Sequence, residues 1–358
     1  MATFHEIKVV GAGLIGTSIA LGLKGAGYNV SIDDEYPEVE ALAQNLIGQI
    51  SFGAEPDLII IATPISTVST LVQVYGTRYP HSSLMDVAGL KSEVMQEIDK
   101  FPEISPRFCA SHPMAGREIA GALAARADLF QGRIWIYTPS GHTNDLALSR
   151  ALEVVEALGG LPVLLEAEEH DEAIAGISHL PQIVSSLLSV SLEEVSDRNL
   201  ALAGQGLKDV SRLAASDPTL WAELLHANRG KLVEFLKVLS KNLEEISTSL
   251  QNDDLRKTHE ILSRAKENHQ RIPGKHGGKK RDYWYLPIVI DDKAGQLAMI
   301  FDHCAGVAVN VEDLTIEHSP GQETGLITLA LSRSDAEKLH KKLSDSGWKV
   351  HLPRESIG

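Results

Sequence analysis

Three short stretches carry side chains that could do chemistry. In "RFCASHPMAG" (107–116), His112 stands between Ser111 and Pro113, after an apolar run and just before a glycine. Histidine is the side chain whose ordinary pKa lets it take and return a proton near neutrality, although in isolation such a residue is more often a hydrogen-bonded turn histidine. In "ISHLPQ" (177–182), Ser178, His179 and Gln182 sit where an apolar helix face would be expected. "GQGLKDVSRLAASDP" (204–218) sets Lys208 and Arg212 four residues apart, on one face of a helical turn. An arginine fork there could clamp a carboxylate; a solvated surface pair is the alternative.

What these groups would meet is set by "EIKVVGAGLIGTSIALGLKGAGYNVSIDDEYPE" near the N-terminus. A β-branched strand (7–10) runs into Gly11, Gly13 and Gly16, with Leu14 and Ile15 between the last two, then a helix and a second strand (29–33). The first glycine suits a tight turn, the second lets backbone approach a pyrophosphate, and the third lets helix and strand pack closely. The helix start turns free N–H groups toward the phosphate. Asp34, with Asp33 beside it, follows about 18 residues after the last glycine, where a carboxylate accepts ribose hydroxyls. No arginine follows to hold a 2′-phosphate, which favours NAD over NADP.

Those elements must bring the chemistry together. "PDLIIIATP" (56–64) reads as a buried parallel strand, and its carboxyl end places Thr63 and Pro64 near the cofactor. A strand, loop and helix follow over 82–98. The strand over 107–110 then delivers Ser111 and His112 to the same edge, and 132–140 reads as a further strand. From about 166 the period becomes helical. Over 219–250, Trp221, Leu224, Leu225, Phe235, Leu236, Leu239, Leu243 and Ile246 form one broad stripe, preceded by Asp217 as N-cap and Pro218 in the first turn. Another helix is expected over 253–267. A glycine-rich basic break (267–285) leads to strands and helices in the order βαββαβ. The expected architecture is an α/β Rossmann domain over 1–165, an all-α dimerisation domain over 166–270, a linker over 271–284, and a small α+β domain over 285–358.

Bulk properties narrow the classes. The 358 residues carry a net charge of −15, with 43% hydrophobic and 23% charged residues. That charge argues against nucleic acid or an anionic membrane as the main partner, and the basic run "KHGGKKR" (275–281) reads as a solvated tether. Two cysteines, Cys109 and Cys304, are too few for a disulfide framework or a cysteine zinc site; no metal is expected, and the compartment is read as reducing. With no signal-like N-terminus and no apolar run of about 18 residues, the expectation is a soluble, cytoplasmic protein.

"GAGLIG", "SHPMAGRE", "SHLPQ" and "GLKDVSRLAASDPTLW" occur in this order, and on them the chain resembles the prephenate/arogenate dehydrogenase family of tyrosine biosynthesis over about residues 5–265. The resemblance implies a Rossmann domain followed by a helical domain that forms a homodimer, with the active site between them. It implies NAD-dependent oxidation of the ring C4 carbinol of prephenate with loss of the ring carboxylate as CO2, giving 4-hydroxyphenylpyruvate, or the same reaction on arogenate giving tyrosine. In that reading His112 works on the 4-hydroxyl, Arg212 binds a substrate carboxylate, Glu118 pairs with an active-site arginine to gate access, and Ser178, His179 and Gln182 line the pocket. Two positions depart from the common pattern. Gly89 in "DVAGLKS" replaces a serine that contacts the catalytic histidine, leaving Ser92, Ser111 or a water to stand in. Gln182 replaces a second histidine; it can donate to a carboxylate but carries no charge. The C-terminal βαββαβ piece, with "DDKAGQL" at its first turn, looks like an ACT domain, where tyrosine would act as effector. A β-hydroxyacid dehydrogenase using Lys208 is the rival reading.

Overall fold

The apolar runs of the N-terminal half become the strands β1 (Glu6–Val10), β2 (Asn29–Asp33), β3 (Leu58–Ile61), β4 (Ser83–Asp86), β5 (Phe108–Pro113), β6 (Ile134–Thr138) and β7 (Leu161–Leu164), hydrogen-bonded in the order β2-β1-β3-β4-β5-β6-β7. The computed structural model describes residues 5–48, 55–116, 121–272, 283–317 and 323–355. Neighbours from β2 to β5 are parallel, β6 runs antiparallel to β5, and β7 is parallel to β6. Leu58 to Ile61 are all buried, because helices cover both faces of the sheet. Ile7, Val9, Leu58 and Ile60 pack under α1 (Leu14–Gly25), α2 (Pro37–Ile47) and α5 (Asp145–Ala157). Ile59, Ile61 and Leu84 pack under α3 (Ile65–Arg78) and α4 (Ser92–Ile98). The two sets alternate along β3 with the strand period of two.

After β7 the chain is helical through α6 (Ala167–Ile174), α7 (Leu180–Ser191), α8 (Asp197–Leu200), α9 (Gln205–Ser211), α10 (Pro218–Ala227), α11 (Arg229–Gln251) and α12 (Leu255–His269). One π turn, Ala175–His179, joins α6 to α7. Pro181 explains it: proline has no N–H for the carbonyl four residues back and its ring crowds that carbonyl, so the helix widens by a residue. The stripe expected as one helix over 219–250 is two helices, broken at Asn228, whose side chain is drawn into the interior. The run Ala167–Glu194 also corrects an expectation. Its mean hydropathy reaches 1.4 over an 18-residue window, so among the described residues one helix is long and apolar enough to cross a membrane. His170, Asp171, His179 and Gln182 are buried within it, and one side of it contacts α11, but only 28% of the apolar window is buried.

By contacts the chain divides into Met1–Lys266 and Glu267–Gly358. The second unit holds β8 (Trp284–Asp291), α13 (Gln296–Gly306), β9 (Asp313–Glu317), β10 (Thr324–Leu331), α14 (Arg333–Asp345) and β11 (Lys349–Val350). Its antiparallel sheet runs β11-β8-β10-β9, the βαββαβ pattern read from the sequence. Leu286, Ile288, Ile327 and Leu329 close on Ile300 of α13 and on Leu339 and Leu343 of α14. Of the expected linker, residues 273–282 lie outside the described residues.

The tightest point of the first unit is Gly16 in α1. A Cβ added there would stand 1.9 Å from the Gly11 carbonyl oxygen, with the Ala62 Cβ at 3.1 Å. Gly16→Ala is therefore expected to destabilise the unit by about 1–3 kcal/mol and to abolish dinucleotide binding. An unchanged melting temperature together with retained NAD affinity would contradict this packing.

Candidate active site

Strand order reverses at β1, so the carboxyl ends of β1 and β3 open a crevice of the kind that takes nucleotides in such sheets. Gly11 has φ +103°, and a Cβ on it would stand 2.4 Å from the Ala62 carbonyl oxygen. Gly13 is the N-cap of α1, with no side-chain cap. Nothing lies within 4 Å of the position its Cβ would take, so backbone is open to a ligand where the helix N–H groups emerge. Leu14 and Ile15 are half-buried in that first turn. Asp34 spans back to the loop, its Oδ2 accepting the Ala12 N–H at 2.7 Å. Asp33 is held instead by Lys8 at 2.7 Å. Thr63 accepts a hydrogen bond from Thr67, and Pro64 caps α3 beside it. Glycines that leave room, a helix start and an acidic residue at the end of β2 together fit a dinucleotide.

His112 lies two strands along the same edge. Its footing is Ser111, every polar atom of which is engaged. The Ser111 N–H donates to Asp86 Oδ1, its carbonyl accepts from Lys91 Nζ at 2.6 Å, and its hydroxyl donates to the Asp86 carbonyl while accepting the Trp135 indole N–H. Lys91 and Asp86 form an ion pair at 2.5 Å with both side chains fully buried. Burial pulls the Lys91 ammonium below its ordinary pKa, and Asp86 opposes that.

The His112 ring is half-buried, with Nδ1 2.9 Å from His170 Nε2. His170 Nδ1 in turn lies 2.7 Å from Asp171 Oδ1. Asp171 also accepts the backbone N–H groups of Lys91 and Ser92, each at 2.9 Å. Burial alone would raise the Asp171 pKa, but hydrogen bonds from His170, Ser92 and Lys91 outweigh it and hold the carboxylate below its usual range. Burial, then His170, Lys91 and His179, keep the His112 ring well below the usual histidine pKa, so it is neutral near pH 7. Gly89 sits on its other side: a Cβ there would stand 3.9 Å from His112 Nε2 and 3.3 Å from Leu224 Cδ2. Of the two stand-ins for the absent serine, Ser111 is fully committed, and the buried Ser92 hydroxyl lies beside the Asp171 carboxylate.

The π turn carries Ser178, half-buried, and His179, buried against the edge of Trp221. Asn228, at the α10/α11 break, donates to the Asp171 carbonyl at 2.8 Å and lies 3.3 Å from His179 Nδ1. Burial takes the His179 pKa down to about 4. Gln182 differs from its expected part. Its amide N–H donates to the Leu213 carbonyl at 2.9 Å, so it anchors the turn Arg212–Ala215 rather than pointing that donor at a ligand. Ser185 holds the same turn through the Ala214 N–H. Arg212 is exposed at the start of that turn, and Lys208 is exposed on α9. Glu118 lies outside the described residues.

His170, Asp171, Lys91, Asp86 and Asn228 were not singled out from the sequence. "EEHDEA" reads as a solvated acidic helix start, and "GLKS" as a polar loop. The only signal was adjacency, an aspartate directly after a histidine at the start of an apolar helix.

Residues 19–164 match the family model of the prephenate dehydrogenase nucleotide-binding domain, and residues 166–264 that of the prephenate dehydrogenase dimerization domain. The chain is 31% identical to the probable prephenate dehydrogenase NovF of Streptomyces niveus, over 95% of this chain and 98% of that one. It is 27% identical to the prephenate dehydrogenase of Bacillus subtilis, over 93% of each. A solved structure of Aquifex aeolicus prephenate dehydrogenase, in complex with hydroxyphenyl propionate and NAD+, shares the fold with a TM-score of 0.68 at 24% identity, covering 76% of this chain and 99% of that one. With both of its family domains matched in order, over ranges that include His112 and the Arg212 turn, the chain belongs to the prephenate dehydrogenase family.

Proposed function

We propose that this protein is an NAD-dependent prephenate dehydrogenase, with His112 as catalytic base. The observation that carries this reading is a histidine on the same sheet edge as the glycine loop, one ring nitrogen engaged by His170 and the other facing the loop at Gly89. NAD, when bound, supplies the hydride acceptor. His112 Nε2 takes the 4-hydroxyl proton as the C4 hydride departs. The bond from the ring to its carboxylate then breaks, CO2 leaves, the electron pair completes the aromatic ring, and the proton returns to the phenolic oxygen. Aromatisation supplies most of the driving force, so the protein chiefly orients and polarises. Gly11, Gly13, Leu14, Ile15, Gly16, Asp34, Thr63 and Pro64 hold the cofactor in this reading. Arg212 meets a substrate carboxylate, Ser178 and His179 wall the pocket, Gln182 supports the Arg212 turn, and Glu118 gates it. Arogenate remains the alternative substrate, differing only in an amino group on the side chain.

The same reading divides the chain into cofactor, dimerisation and regulatory parts at 1–165, 166–270 and 285–358, and takes the protein as cytoplasmic. The matched dimerization domain and the exposed Ile177, Val184, Leu187 and Val190 support a homodimer. The βαββαβ unit supports an ACT-type regulatory domain with tyrosine as effector.

Absorbance of reduced nicotinamide, followed with NAD or NADP and with prephenate or arogenate in turn, tests the reaction; no reduction with any pair would end this reading. His112→Asn is expected to lower kcat by about 10²–10⁴-fold with NAD binding retained, and unchanged turnover would transfer the role to Lys208. Tyrosine added to the full chain is expected to lower activity and raise the melting temperature; no change in either would remove it as an effector.

A further inference from the structure

We infer that His170 and Asp171 are positioning residues that fix His112 in the tautomer with its proton on Nδ1, leaving Nε2 as the lone pair that meets the substrate. This deepens the reading of His112 as base and rests on it. The argument is one of donors and acceptors. An ionised carboxylate only accepts, and Asp171 already takes N–H groups from Lys91 and Ser92. The 2.7 Å contact to Asp171 Oδ1 therefore requires the proton on His170 Nδ1. Neutral His170 then offers only a lone pair at Nε2, and the 2.9 Å contact requires His112 Nδ1 to be the donor. What remains on His112 is Nε2, unprotonated and facing the loop where Gly89 leaves room. When Nε2 takes a proton, the positive ring still donates through Nδ1 to His170, and His170 to Asp171, so no group has to turn.

The alternative is a doubly protonated His170, which would donate to His112 Nδ1 and force the His112 proton onto Nε2, where it could accept nothing. The two cases differ in a quantity that needs no substrate. In full-length protein labelled with 15N-histidine, long-range 1H–15N spectra at neutral pH, assigned with His112→Gln and His170→Gln, are expected to show His112 with a protonated Nδ1 and an unprotonated Nε2. The reverse pattern, or an imidazolium at His170, overturns the inference.

Kinetics give a second, separate readout. Asp171→Asn is expected to lower kcat by about 100-fold with the KM for NAD unchanged. It should also move the acidic limb of kcat/KM to lower pH. The sign follows from the charges around His112. Lys91, Asp86 and His179 stay as they are, and losing the Asp171 charge behind His170 removes the influence that favours the imidazolium. Lost activity with an unmoved limb would mean that Asp171 only anchors α6 and would overturn the inference. Wild-type protein that reduces no nicotinamide would instead refute the dehydrogenase reading and leave the tautomer result standing.

Discussion

The Asp171 carboxylate is the joint on which the first unit turns. It is buried, and it is filled from two directions: by backbone N–H groups at the start of α4, beyond β4, and by His170 on its own helix. Its carbonyl is claimed from a third direction by Asn228. An ionised group in such a place would be costly without partners, and with them it is a rigid connector, because each bond is charge-assisted or fixed to backbone. The nucleotide-binding sheet and the helical half thus share a polar contact at the point where His112 stands. A histidine reaching from β5 alone would have a free ring; here its ring plane is set by a helix from the other half.

A second buried charge pair works on the backbone rather than the ring. The Lys91–Asp86 pair contributes little net stability once desolvation is counted, yet its geometry is specific. Asp86 and Lys91 between them take the N–H and the carbonyl of Ser111, and Trp135 closes on the Ser111 hydroxyl from β6. The residue before His112 cannot shift without leaving several buried polar groups unsatisfied, each costing about 1–3 kcal/mol. Backbone and ring of His112 are therefore held by separate networks, both reaching back to the loop after β4.

The helical half is shaped by residues that interrupt helices. Pro181 widens the turn that carries Ser178 and His179, and Asn228 ends α10 so that its amide can reach Asp171 and His179. Gln182 uses its amide inside the protein, to hold the turn that begins with Arg212. A neutral amide is sufficient for that task, which gives a physical reason why glutamine is tolerated there. Nothing in "SHLPQ" says that a distant carbonyl at Leu213 will take the Gln182 donor, so in sequence Gln182 looks only like a ligand for substrate.

What the residues alone determined is local. The glycine spacing, the strand before it, the helix after it and Asp34 at the end of β2 mark a nucleotide site, because backbone conformation and close approach depend on side chains only a few positions apart. The delivery of His112 to the edge near Thr63 followed from strand alternation, as did the βαββαβ order of the last unit. Tertiary structure decided the rest. The line from His112 through His170 to Asp171 joins residues 58 apart in sequence, and Lys91 meets Asp171 across 80. Neither pairing leaves a periodicity or spacing to read. A buried charge looks like a solvated one in sequence until packing removes the water around it, and only then does its partner become obligatory.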